Sequence, residues 1–278
     1  MKSILILMTC HNRAILTERA IIAASASAKF ANVSLFWAVT DDGSLDETSS
    51  VVHQNCEHFV LDHKSGDLYW TRGMKNSWEI ALQIDRRWDF VLWLNDDVQL
   101  KTNAIQSLLS EFASSKVDVL SGHCSDDAQE SSTSYGGFKR RGIRPTSYVR
   151  TTPDGKLNPI DTFNGNVVLM RFEVARLVSL GDFSHMYGDI DFGLKAKSLG
   201  LGLFSSRDFV GICTRNSSDF PWLDKTLNRR DSLSIFFGPK GLVFRDHLTF
   251  HITHCGYLVG FLLASVSYAR AFSKVLIR

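Results

Sequence analysis

Apolar and polar positions alternate along the first half of the chain in a strand–helix rhythm. Ser3–Thr9 (SILILMT) is a short apolar run bounded by polar residues, the pattern of a buried strand. Arg13–Ser27 follows with alanine-rich helical spacing, then Val33–Thr40 (VSLFWAVT) as a strand and Asp46–Gln54 as a short helix. Phe59–Leu61, Phe90–Leu94 (FVLWL) and Val117–Leu120 continue the strands, and Arg72–Ile84 and Asn103–Ala113 the helices. This order predicts a parallel sheet covered by helices. Ligands meet such sheets at the carboxyl ends of the strands. The polar stretches Thr9–Arg13, Asp41–Asp46 and Asn95–Asp97, each following an apolar run, are therefore the first candidates for a site.

The middle of the chain changes character. Asp126–Gly155 is rich in Ser, Thr, Gly, Arg and Tyr without a sustained period, which predicts a loop-and-hairpin region on the acceptor side of a cleft. Val167–Met170 is a further strand, and Asp191–Leu199 a helix stopped by Gly200. No repeat or linker divides the chain. Near the end, Gly256–Ser267 (GYLVGFLLASVS) is apolar, with no charge between His254 and Arg270. The run falls short of the roughly 20 residues of a spanning helix. It reads either as a packed terminal helix or as one leaning on a membrane, helped by Arg270, Lys274 and Arg278. His247, His251 and His254 share one helix face. Such spacing can serve a metal, and His254 is the best placed of the three to touch a metal or pyrophosphate. The same face continues into Leu258, Phe261 and Leu262, which fits a half-buried helix at a pocket edge.

Composition narrows the classes. The 278 residues carry 31 Lys+Arg against 29 Asp+Glu, a net charge of +2, with 44% hydrophobic and 22% charged residues. That is ordinary globular composition and excludes disordered, collagen-like and disulfide-dense chains. Near-neutral charge gives no electrostatic case for nucleic acid. The five cysteines (Cys10, Cys56, Cys124, Cys213 and Cys255) are odd in number and form no C-x-x-C pair, so reduced thiols in a cytosolic compartment are expected. The apolar run Ile4–Met8 is too short for a signal peptide and passes straight into HNR.

Three acidic stretches carry the candidate chemistry. Asp96 and Asp97, directly after VLWL, repel one another unless solvated or neutralised; hard oxygen donors of this kind suit Mg²⁺ or Mn²⁺ shared with a substrate phosphate. A turn with a capping Asp is the plainer alternative. In TDDGSLDET, Asp46 suits a helix N-cap, which leaves Asp41 and Asp42 to accept from a base N–H or a ribose hydroxyl. In YGDIDFGLK, Asp191 stands four before Lys195, a structural pair, while Asp189 at the helix start is free for a cleft. Trp70 suits a sugar floor or the core, and Arg72 a diphosphate clamp.

In their order, TCHNR, TDDGSLDET, NDD, FNGNVVLM and YGDIDFGLKAKSLG resemble the motifs of inverting family 2 glycosyltransferases of the GT-A fold, over roughly residues 3–250. GDLYWTRGMKNSWEIAL and GICTRN resemble bacterial, rhamnosyltransferase-like members that build surface polysaccharides. The resemblance implies a GT-A fold, with a Rossmann-like, mostly parallel central sheet flanked by helices. Residues 1–250 would form this unit. Residues 251–278 would be a C-terminal helix of the same domain or one leaning on a membrane. It further implies a nucleotide-diphosphate sugar donor and Mn²⁺ or Mg²⁺. Asp97 and Asp96 would hold the metal, with Asp96 also near the donor's ribose and phosphate. Asp41 and Asp42 would hold the nucleobase and ribose, Thr9 and Arg13 the nucleotide, and Asn164, Gly165 and Asn166 the sugar. Asp189 would be the base.

Two positions depart from the family pattern: Asn95 stands for the first Asp of DxD, and Gly188 for the Glu before the catalytic Asp. The second leaves Asp189 and Asp191 competing for the base role, with the register favouring Asp189. The expected acceptor is a saccharide or lipid-linked saccharide in O-antigen, capsule or exopolysaccharide synthesis. The expected location is the cytosol, at the inner face of the membrane. Rival functions are a sugar-phosphate nucleotidyltransferase and a non-catalytic nucleotide- or lipid-binding partner of a membrane assembly. The former needs a glycine-rich loop after the first strand, where this chain has TCHNRA.

Overall fold

A computed structural model of the chain describes residues 1–113, 116–142, 145–215 and 220–277. Among positions singled out in the sequence, Ile143, Arg144, Asn216 and Arg278 lie outside these residues. The apolar runs become the centre of a sheet. β1 (Lys2–Cys10) pairs in parallel with β2 (Val33–Asp41) and β4 (Phe90–Leu94), and β2 with β3 (Phe59–His63). The crossovers are α1 (Ala14–Ala31), α2 (Thr48–Asn55) and α3 (Tyr69–Leu82). Side chains of β1 alternate between two cores, as a strand period of two requires. Ile4, Ile6 and Met8 pack with residues of α1 and of α4 (Ala104–Phe112), and Leu5 and Leu7 pack with Met74 of α3.

Past β5 (Gln99–Leu100) and α4 comes β6 (Val119–Ser125), followed by β7 (Thr133–Tyr135), β8 (Gly137–Arg140) and β9 (Tyr148–Arg150). Then come β10 (Asn158–Pro159), β11 (Thr162–Phe163), β12 (Val167–Arg171), α5 (Phe172–Leu177), α6 (Gly188–Ser198) and β13 (Leu203–Ile212). The main sheet has the order β10-β13-β6-β12-β4-β1-β2-β3. β12 runs antiparallel to both β4 and β6. The expected mostly parallel sheet flanked by helices is present.

The stretch expected to be loop and hairpin is more ordered than its composition implied. β8 pairs with β9 and β11 in a second, three-stranded sheet. Its polar sequence hides the strands because Lys139, Arg140 and Arg141 are exposed, so no apolar alternation is written there. Helix starts also shift: α3 and α6 each begin three residues before the predicted position. α2 begins at Thr48, whose N–H donates to Asp46 at 3.1 Å; the same carboxylate accepts from Ala14 N–H at the start of α1, so one aspartate serves two helix ends.

The chain closes with a 3₁₀ turn (Pro221–Leu223), α7 (Arg229–Phe237), α8 (Phe244–Cys255) and α9 (Tyr257–Leu276). α9 is longer than the apolar run that announced it. Its 20 residues reach the length and hydropathy of a spanning helix. Leu258, Val259, Phe261 and Leu262, candidates for burial in a packed terminal helix, are exposed.

Candidate active site

A cleft of 530 Å³ opens at the carboxyl ends of β1, β2 and β4. Thr9, Arg13, Asp42, Asn95, Asp96 and Asp97 form its floor, and Trp70, Asn164, Gly165, Asn166 and Asp189 one wall. Tyr135, His185, Tyr187 and Lys240 complete the lining.

The acidic pair is held by one cation. Arg13 Nη1 donates to Asp96 Oδ1 and Asp97 Oδ2, both at 3.0 Å. Burial pushes the Asp96 carboxyl up to about 7, against the pull of Arg13 and with the help of Asp97. Cys213 Sγ donates to Asp97 Oδ1 at 3.3 Å and accepts from Asn166 Nδ2 at 3.5 Å, which orients Asp97 from behind. Two carboxylates drawn onto one guanidinium nitrogen form a hard oxygen donor set, and this set fits a divalent cation completed by phosphate oxygens.

Asp42 and Asp41 part company. Asp42 lines the cleft, and its carboxylate accepts from Gly66, Leu68 and Tyr69 N–H at 2.8–3.2 Å, which anchors the start of α3. Asp41 is outside the lining: it accepts from Ser44 N–H at 3.0 Å and from the Ser49 hydroxyl, because consecutive positions at a strand end point to opposite sides. The structure likewise leaves Arg72 out of the cleft. Two residues beyond Trp70 on α3, it is turned about 200° away, and it faces Asp182 at 3.6 Å.

Trp70 packs against the core and also lines the cleft. Its ring packs edge-on against Trp93 of the core, and its Nε1 donates to Asn95 Oδ1 at 2.7 Å. The Cζ2–Cη2 side of the ring lies against Gly165, where a Cβ would come 2.2 Å from Cζ2. Glycine is thus required between Trp70 and Asp189. Gly165 N–H donates to Asp189 Oδ2 at 2.9 Å, and Ile190 N–H to Oδ1 at 2.8 Å. Burial raises the Asp189 pKa, while these N–H groups and the Asn164 side chain pull it back. Asn164 Oδ1 and His185 Nδ1 are buried without a protein partner among the described residues.

Asp191 faces elsewhere. It is 1% exposed, 2.7 Å from Lys195 Nζ and 2.9 Å from His254 Nε2. The structural Asp191–Lys195 pair is present, and His254 is spent on the same carboxylate instead of on the cleft. His251 Nδ1 lies 2.8 Å from His247 O. His247 bridges Tyr187 Oη and Ser267 Oγ, each at 2.7 Å. Ser267 donates to its own helix at Leu263 O, so it accepts from His247 Nε2–H, and Nδ1 accepts from Tyr187. Burial pushes His247 down to about 4, which keeps it neutral in this chain. The three histidines thus have separate partners; among the described residues no group of three His, Cys, Asp or Glu is placed to hold a metal by itself.

Tyr135, His185, Tyr187, Lys240 and Cys213 were not anticipated. Tyr187 sits at φ +75°, immediately before α6, with its ring stacked on Phe250 at 4.6 Å. Lys240 reaches the cleft from beyond α7, a contact with no local signal.

No protein-family model matches the chain, and no curated protein matches its sequence. Solved structures do match. A mannosyltransferase from Pyrobaculum calidifontis, in complex with GDP-Man and Mn²⁺, superposes with a TM-score of 0.55 at 15% identity, over 97% of this chain and 75% of that one. S. aureus TarS 1–349 gives 0.53 at 14% identity, over 97% and 73%. TarS with UDP-GlcNAc gives 0.57 at 11%, over 99% and 72%. This chain shares their fold. The GT-A expectation for the architecture thus has structural counterparts along nearly the whole chain.

Proposed function

We propose that the protein is a glycosyltransferase that moves a sugar from a nucleotide-diphosphate donor to an acceptor hydroxyl with inversion. One observation carries this: a cation-seeking acidic pair and a separate, backbone-oriented carboxylate, Asp189, face the same cleft at the strand ends. The nucleotide-sugar complexes of the structural neighbours support the same assignment.

Asp97 and Asp96 would hold Mn²⁺ or Mg²⁺, which when bound supplies Lewis-acid stabilisation of a leaving diphosphate. Arg13 offers the diphosphate a guanidinium from the same floor. Trp70 against Gly165 gives the sugar a flat wall, and the unpartnered Asn164 Oδ1 accepts from a sugar hydroxyl. Asp189 accepts the proton of the incoming hydroxyl. Its two backbone N–H donors orient it and offset part of the rise in basicity that burial brings; a carboxylic acid is still far more acidic than the hydroxyl it deprotonates, so the proton leaves late, after the oxygen has begun to bond the anomeric carbon. Attack from the face opposite the diphosphate inverts the configuration. We place the reaction in bacterial surface-polysaccharide synthesis, at the cytoplasmic face of the membrane, on a saccharide or lipid-linked acceptor.

The test is a screen of nucleotide sugars with purified protein and Mn²⁺, reading released nucleoside diphosphate, with product anomers assigned by NMR. Release that depends on Mn²⁺ and disappears in Asp97→Ala is expected. Retained configuration would overturn inversion, and formation of nucleoside triphosphate and sugar 1-phosphate from the nucleotide sugar on addition of pyrophosphate would identify nucleotidyl transfer instead.

A further inference from the structure

α9 contains no acidic residue, and its two faces differ sharply. Gly260, Ala264 and Val275 are buried on one face, against α7, α8 and the Trp222 cluster. The opposite face repeats Leu258, Leu262, Val266 and Ala269 about once per turn, with Leu258 81% and Leu262 63% exposed. At 100° per residue, Arg270 and Lys274 fall along one flank of this outward stripe, and both are exposed. A further cation stands toward the other end of the helix: Arg140, exposed at the end of β8, lies near enough to Cys255, the last residue of α8, to act on its thiol electrostatically.

We propose that this face docks on an anionic lipid bilayer, with α9 lying in the interfacial plane. Its apolar stripe enters the acyl boundary, while Arg270, Lys274 and Arg140 sit over the headgroups. Although α9 is long enough to span, its inner face is packed along α8, which carries Arg245, Asp246 and three histidines. That face cannot be given to lipid. Pairing with a second copy would also bury the stripe, but it would set Arg270 and Lys274 against cations with no acid on the helix to answer them. The Tyr187–His247–Ser267 chain ties α9 to the cleft wall. A docked molecule thus holds that wall at a fixed distance from the bilayer, which suits a lipid-linked acceptor. That last point rests on the proposed transfer; the docking does not.

The experiment is co-sedimentation of the full chain with vesicles of phosphatidylcholine containing phosphatidylglycerol, and with phosphatidylcholine alone, at low and high salt. The intact protein should pellet with the anionic vesicles at low salt only. Arg270→Gln with Lys274→Gln should lower partition about 30-fold, from roughly 1 kcal/mol per cation near an anionic leaflet. Leu258→Asp with Leu262→Asp, at exposed positions that leave the fold intact by circular dichroism, should abolish it. A protein that stays in the supernatant, or pellets equally with neutral vesicles, overturns the proposal. So does a concentration-dependent dimer of the free protein, without vesicle binding, that the same Leu substitutions dissolve. Nucleoside diphosphate release onto a soluble acceptor, measured in the same variants, separates the two claims. Docking without any release overturns the transferase assignment alone.

Discussion

Replacing Asp189 with Asn changes few atoms but conflicts with both of its backbone partners. The two carboxylate oxygens accept from Gly165 N–H at 2.9 Å and Ile190 N–H at 2.8 Å. An amide offers one acceptor and one donor, so in either orientation one N–H meets an NH₂ group. A half-buried N–H left without its acceptor costs about 1–3 kcal/mol. Part of this is recovered, because burial disfavours the charged carboxylate and the amide carries no charge. The net loss of stability is therefore expected at about 1 kcal/mol, small enough for a folded variant. Catalysis should fall much further, by the roughly 10²–10⁴-fold that a general base contributes. Donor affinity by calorimetry should stay unchanged, since the diphosphate end of the cleft is untouched.

The pH profile supplies an independent readout. The proposed base works deprotonated, and the folded pKa of Asp189 lies above the ordinary carboxylate value, so wild-type kcat/KM should rise with pH through that raised pKa. The variant should lack this limb. In stability the sign is opposite: the folded state holds this proton more tightly, so the Asp189 contribution falls as pH rises from the unfolded to the folded pKa. The variant loses that slope too. Turnover within tenfold of wild type, or loss of transfer confined to Asp191→Asn, would refute the assignment.

Three further outcomes follow from the same geometry. Asp42→Ala removes the acceptor of three backbone N–H groups at the start of α3 and should cost about 2–4 kcal/mol, read as a lower urea midpoint at unchanged m. Gly188→Ala puts a Cβ 2.5 Å from Thr71 Cγ2 and should cost about 1–3 kcal/mol; adding Thr71→Ala should recover part of it, and strict additivity would deny the contact. Arg13→Gln leaves two neighbouring carboxylates without their cation. The Arg13 side chain is 40% exposed, so screening limits the loss to about 1–2 kcal/mol. Mn²⁺ should then raise the Tm of this variant more than that of the wild type, and equal shifts would show that metal and Arg13 do not share the site.

How legible the protein was depended on how local each signal is. β1, β2 and β4 are apolar runs in the sheet interior, and the polar residues at their ends fall in the cleft: Thr9, Arg13, Asp42, Asp96 and Asp97. β13 escaped notice because its register shifts between Ser205 and Phe209, with Arg207 and Asp208 exposed there, so the alternation breaks mid-strand. Arg72 lies outside the cleft lining because its partner, Asp182, is brought to it only by the fold. Lys240 and His185 reach the cleft from distant segments for the same reason. The histidine face of α8 was readable as a face; which carboxylate His254 would meet was not.

The two departures from the motif pattern also become intelligible in the structure. At the first position of NDD, Asn95 needs only one acceptor, which holds Trp70 Nε1 at 2.7 Å, while its own N–H donates to Asn166 O at 3.0 Å. Asp would make the same bonds but add a third negative charge beside Asp96 and Asp97, where Arg13 supplies one positive charge. Asn keeps Trp70 in place without deepening that imbalance. At position 188 the constraint is space. The start of α6 is pressed onto α3 so closely that the first atom of any side chain meets Thr71, whose hydroxyl in turn holds His185 O at 2.9 Å. A glutamate there would push α6 outward and take Asp189 from its bond to Gly165. This chain thus places Asp189 by close helix contact and backbone N–H donors, and a neighbouring acid is incompatible with that arrangement.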